Sequence, residues 1–161
     1  MPIRCTFTLN KKSVSTLVCA GVGEFRAFSG NGPAINDSAY AAMQNIGPLP
    51  PGRYYIVDRG SGGLISQIIS GAKDWVNSTD HSTWFALYRD DGVIDDETFI
   101  NGVRRDSFRL HPHGHRNFSE GCITLTDIPS FNYLRKSLLN TVRIPLPSGK
   151  GFAYGTVEVK E

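Results

Sequence analysis

Short runs of β-branched, aromatic and aliphatic residues, each stopped by a polar or Gly/Pro-rich turn, recur from one end of the chain to the other. Runs this short, several of them strictly alternating, suit strands rather than helices and commit the chain to a mainly β architecture. Residues 3–9 and 14–19 alternate around Asn10-Lys11-Lys12-Ser13 and read as a first hairpin. Glu24 to Phe28 reads as a third strand running into the turn formers Ser29-Gly30-Asn31-Gly32-Pro33. Gly47-Pro48-Leu49-Pro50-Pro51-Gly52 is a stiff turn before a strand from Arg53 to Val57. Further strands are expected at Trp84 to Tyr88, Phe108 to Leu110, Cys122 to Leu125, Val142 to Ile144 and Tyr154 to Val159, with Asp90-Asp91-Gly92 as a turn.

Two segments carry helical spacing instead. Leu64, Ile68, Ala72 and Trp75 share one face of 64–77. Phe131, Leu134 and Leu138 share one face of 128–139, where Asp127 is a suitable N-cap and Pro129 falls in the first turn. There is no βαβ alternation, internal repeat, low-complexity tract or linker. The expected fold is a single domain over residues 1–161, mainly β and sandwich- or barrel-like, with about two helices packed outside. At 161 residues and 40% hydrophobic, the chain can bury a substantial core.

Charge excludes some functions. Seventeen basic residues against 15 acidic ones give a formal net charge of +2, and Arg104-Arg105 is the densest basic pair. No phosphate-binding stripe exists, so no nucleic-acid partner is expected. No apolar run is long enough to span a bilayer, and no membrane insertion is expected. The first residues lack the apolar core of a secretory signal. Leu17-Val18-Cys19-Ala20 has neither the preceding apolar run nor the small residue that a lipoprotein cleavage site needs. The chain reads as made in the cytoplasm without a signal peptide.

The three cysteines are Cys5, Cys19 and Cys122. An odd count leaves at least one unpaired within the chain. Cys5 and Cys19 flank the first turn at nearly equal distances and would face each other across a hairpin. They read either as a disulfide or as two small buried hydrophobes; Cys122 is left over in both cases.

Chemistry concentrates in Arg109-Leu110-His111-Pro112-His113-Gly114-His115-Arg116-Asn117-Phe118-Ser119-Glu120-Gly121-Cys122-Ile123-Thr124-Leu125. Three of the four histidines fall within five residues, and Cys122 lies seven residues after the last of them. A cysteine attacks as thiolate and needs a base or a depressed pKa, and a histidine supplies both the base and the returning proton. Gly121 would let the backbone turn sharply, aiming the N–H groups of 121 and 122 at a developing oxyanion. Competing readings are a zinc site on the His-x-His-x-His run and a solvated loop without a role. Pro112 and Gly114 interrupt the strand such a zinc site needs, and no matching Cys or acidic ligand pair is evident elsewhere. No cofactor or metal is expected.

Ser119-x-Gly121-Cys122-Ile123, with Phe108-Arg109-Leu110-His111-Pro112 upstream, resembles the catalytic box of the L,D-transpeptidase family. The Gly-Pro-x-Pro-x-Gly-x-Tyr element at 47–54 and Phe28-Ser29-Gly30 extend the likeness over roughly residues 5–160. They point to a small branch delivered by type VI secretion as antibacterial effectors. Glu120 stands where typical members carry a box histidine, and the upstream histidine is the base in that family. The resemblance implies that Cys122 is the nucleophile, His111 the base in preference to His113, Ser119 an ordering residue, and Gly121 with Cys122 the backbone donors. It implies a substrate, the tetrapeptide stem of peptidoglycan, from which Cys122 expels the terminal D-alanine; water (L,D-carboxypeptidase) or an amine (L,D-transpeptidase, D-amino-acid exchange) then resolves the thioester. Arg109 and His113 are candidates for substrate contact, and Ser29 and Gly30 for lining the cleft. A type VI secretion apparatus, a cognate immunity protein and the periplasm of target bacteria follow as expected partners and destination. In that oxidising compartment Cys5–Cys19 would close as a disulfide.

Two other classes compete. A papain-like wall amidase or endopeptidase would place its cysteine before its histidine and at a helix start, the reverse of the order here. A non-catalytic wall-binding module would need no reactive thiol.

Overall fold

The computed structural model describes residues 2–58, 83–114, 121–149 and 151–161. Along the chain these form β1 (Ile3–Thr8), β2 (Ser15–Cys19), β3 (Gly23–Phe28), β4 (Gly52–Asp58), β5 (Phe85–Arg89), β6 (Glu97–Ile100), β7 (Val103–Asp106), β8 (Arg109–Pro112), β9 (Ile123–Leu125), helix α1 (Ile128–Leu139), β10 (Ile144–Pro145), β11 (Phe152–Ala153) and β12 (Gly155–Lys160). Short 3-10 turns stand at Gly32–Ala34 and Ser38–Tyr40. The expected helix over 64–77 lies outside the described residues.

Eight strands close into a barrel in the order β1-β12-β4-β5-β8-β9-β3-β2. Two of its joints are parallel: β1 with β12, and β8 with β9. Alternation along each strand fills the barrel with one set of side chains, among them Phe7, Leu17, Phe25, Tyr54, Ile56, Leu87, Leu110, Ile123 and Leu125. Each such large apolar side chain contributes about 1.5–3 kcal/mol on full burial. Helix α1 adds Phe131, Leu134 and Leu138 to that cluster. Its start is as expected: the Ser130 backbone N–H and hydroxyl both donate to Asp127, at 2.7 and 2.9 Å, and hold that carboxyl below its usual range.

The opening hairpin places Cys5 directly opposite Cys19, with Cα atoms 4.1 Å apart, and the two are joined as a disulfide. Both are buried and both are also core residues, so the two sequence readings describe one site.

Two hairpins lie outside the barrel. β6 and β7 meet through Asn101-Gly102, both at positive φ, and β10 pairs with β11. On the outer face of β4 and β5, Tyr55, Val57 and Ala86 pack against Leu146 and Ala153 in a second, smaller apolar cluster.

Candidate active site

The parallel pair β8–β9 sets Leu110 opposite Ile123 and His111 opposite Thr124. Leu110 and Ile123 point into the barrel, so alternation turns Arg109, His111 and Thr124 to its outer face. Cys122 stands one residue before β9 and is half-buried, with Sγ 3.9 Å from the Ser107 carbonyl oxygen. It lies one strand across and two residues back from the register position of His111, a diagonal of ~8 Å between Cα atoms in a regular sheet. An imidazole and a thiol on one face can bridge that span.

His111 is held on several sides and is only 8% exposed. The Trp84 ring stacks on it, centroids 4.2 Å apart and planes 19° from parallel. Nδ1 lies 2.8 Å from the Pro112 carbonyl oxygen, and Nε2 lies 3.3 Å from Thr124 Oγ1. A carbonyl oxygen only accepts, so Nδ1 carries a proton and donates it there. In the neutral ring the lone pair is then on Nε2, on the side facing β9. His113 sits differently: it is partly exposed, its backbone N–H donates to the Leu125 carbonyl at 2.7 Å, and its ring meets Phe28 edge-on at 6.4 Å.

Arg109 shares the outer face with His111. Its guanidinium grips both carboxylate oxygens of Asp96, at 2.6 and 2.8 Å. Burial alone would lower its pKa, but the Asp96 hydrogen bonds and charge outweigh burial and raise it. A thiolate at Cys122 is attracted to Arg109 and to Arg105.

Arg105, like Trp84 and Asp96, is a site residue that the sequence did not single out. It is 3% exposed, and its guanidinium lies 5.4 Å from the centre of the Phe108 ring. Burial pulls its pKa down, while Tyr54, Asp106 and Cys122 act in the opposite direction. It donates to the carbonyls of Ala41, of Gly47 at 3.0 Å and of Pro48 at 3.3 Å. The stiff turn at 47–52 is thus tied down almost residue by residue. Leu49 N–H donates to Ser29 Oγ at 2.7 Å, the Tyr54 hydroxyl donates to Pro50 O at 2.7 Å, and Arg89 donates to Pro51 O at 2.7 Å. Prolines have no N–H to offer, so side-chain donors must take these carbonyls.

The same guanidinium shapes the approach to Cys122. Gly121 has φ +99°, and a Cβ there would come within 2.6 Å of Arg105 Nη2 and 2.8 Å of Phe108 Cε1. Only glycine suits both the backbone angle and the space. Gly30 is comparable, with φ +99° and a would-be Cβ 2.8 Å from Ala34 O. Ser29 is fully buried, and its neighbours are Asn36 and Leu49. The structure therefore gathers His111, Arg109, Cys122 and Gly121 at one edge of the β8–β9 pair. Ser29 and Gly30 sit in the support of the 47–52 turn. Ser119 and His115 lie outside the described residues.

Comparison with known proteins gives one family: the Tlde1 domain model matches residues 23–148, well over half of the chain. No curated protein matches it.

Proposed function

Because the chain belongs to the Tlde1 domain family, whose type VI secretion effectors target peptidoglycan, we propose that it is a cysteine-dependent L,D-transpeptidase or L,D-carboxypeptidase acting on tetrapeptide stems. The observation that carries this reading is the placement of His111 on β8 and of Cys122 immediately before the parallel neighbour β9, with His111 Nε2 directed toward β9.

In the proposed reaction His111 Nε2 takes the Cys122 thiol proton, and the sulfur attacks the carbonyl that precedes the terminal D-alanine. The oxyanion forms beside the Gly121–Cys122 backbone. As it collapses, the carbon–nitrogen bond breaks, and His111 returns the proton to the departing amine. Cys122 then holds the stem as a thioester. Water releases it as a tripeptide; an amine, such as a D-amino acid, releases it as a new amide. Attraction to Arg105 and Arg109 favours the ionised sulfur, because the interaction is mutual. Stacking by Trp84 and two hydrogen-bonding neighbours fix the imidazole orientation that both proton transfers need. Ser119 would order the Cys122 turn, and Arg109 and His113 would flank the bound stem. Delivery by a type VI apparatus into a target periplasm, with a cognate immunity protein in the producer, completes the reading.

Iodoacetamide labelling across pH tests the thiol directly. Native Cys122 is expected to react faster near neutral pH than in the unfolded chain, and His111→Ala to slow it by roughly tenfold or more. Native labelling no faster than unfolded labelling would favour a non-catalytic wall-binding module.

A further inference from the structure

A cleft of about 840 Å³ opens on the outer face of β4 and β5, away from Cys122. Its volume falls in the range of sites that hold small ligands. Val57 and Tyr88 form the barrel side, and Phe152 of β11 with Arg143 forms the opposite lip. Asp58 and Asp90 also line it. Phe152 is 55% exposed although it is a large aromatic ring, and the Arg143 guanidinium lies 5.4 Å from its centre.

Among the described residues the two carboxylates are only half used. Asp58 Oδ1 accepts from the Tyr154 hydroxyl at 2.6 Å, and Asp90 Oδ2 from the Tyr55 hydroxyl at 3.4 Å. Among the described residues, Asp58 Oδ2 and Asp90 Oδ1 have no donor. Aromatic rings beside unfilled carboxylate acceptors suit a ligand with apolar C–H faces and many hydroxyl or amide donors. A sugar has that chemistry; a plain apolar ligand lacks the donors, and an anion would be repelled by the aspartates.

The distance to the candidate nucleophile is set by the sheet. Val57 is opposite Ala86, Ala86 is opposite Arg109, and the β8–β9 register brings Cys122 beside Arg109. Three strand spacings are ~14 Å, the length of about four extended residues. Three residues lie on the acyl side of a tetrapeptide's last amide and span ~11 Å when extended, and the lactyl ether that joins a stem to its sugar adds most of the remainder, so a stem whose last amide is at Cys122 would bring its sugar-bearing end to this cleft. We infer that the cleft between β4–β5 and Phe152 is a subsite for the amino-sugar end of the muropeptide. The inference rests on the proposed reaction for its distance argument and on the lining residues for its chemistry.

Two measurements separate the two claims. The first is an NMR titration with the N-acetylated disaccharide alone, without a stem, which needs no catalysis. Shifts at Tyr88 and Phe152, lost in Phe152→Ala and kept in Phe152→Tyr, are expected; no shift at either residue overturns the inference. The second compares turnover of disaccharide-tetrapeptide with that of free tetrapeptide. Phe152→Ala should raise KM roughly tenfold for the first alone, with kcat unchanged. Equal KM for both substrates in the wild type would overturn the sugar subsite and leave the Cys122 chemistry standing. Disaccharide binding with neither substrate turned over would uphold the subsite and remove the Cys122 reaction.

Discussion

Thr124 Oγ1 lies 3.3 Å from Nε2 of His111, its register partner on the neighbouring parallel strand. With Nδ1 donating to the Pro112 carbonyl, the Thr124 hydroxyl donates to Nε2 of the neutral ring and accepts from it when the ring is charged. Both protonation states are thus held in one orientation. Thr124→Val keeps the shape and deletes the hydroxyl. We expect a stability loss of about 1 kcal/mol, measured by urea unfolding, and a lower kcat with KM little changed. An unchanged kcat would remove Thr124 from the orientation of His111.

Arg105 joins the 47–52 turn to the Gly121–Cys122 turn from a buried position. Arg105→Met would fill most of the space but leave the Ala41, Gly47 and Pro48 carbonyls without their donor. Each deserted buried acceptor costs about 1–3 kcal/mol, so unfolding should shift by roughly 3 kcal/mol or more. Arg105→Lys, which keeps the charge but loses the fork, should fall between the two. A thermal melt of the three proteins orders them; a Met variant as stable as wild type would contradict the tethering role.

The Cys5–Cys19 disulfide closes a sequence separation of 14 residues. Cross-linking a loop of that size contributes about 3 kcal/mol by restricting the unfolded chain. Reduction, or Cys5→Ser, should lower the urea midpoint accordingly. Thiol titration of unfolded chain taken from an oxidising compartment should find one free thiol, Cys122; three would show that the bond does not form there.

How much of this was legible depended on whether the signal was local. The first hairpin and α1 could be read because alternation, the Asp127 cap and Pro129 all lie within the element they define. The Ile100-Asn101-Gly102-Val103 turn of β6–β7 was equally local and was overlooked, although Asn-Gly between apolar residues is the strongest short hairpin signal. Strand edges moved by a residue or two: β8 runs on through Pro112, and β9 begins after Cys122. Barrel closure was not legible, because the parallel joints β1–β12 and β8–β9 link segments by tertiary pairing that no local pattern encodes. His111 and Cys122 stood out by residue type, but the register that sets them on one face did not. Arg105 stood out only as half of the densest basic pair; the arrival of the proline turn and Gly121 around it makes it a buried tether.

The most direct measurement is digestion of purified tetrapeptide muropeptides by wild type and Cys122→Ala in parallel, read by mass spectrometry. The account predicts loss of the terminal alanine, or its exchange for an added D-amino acid, with wild type alone. Intact tetrapeptide with both proteins, under reducing and under oxidising conditions, would contradict it.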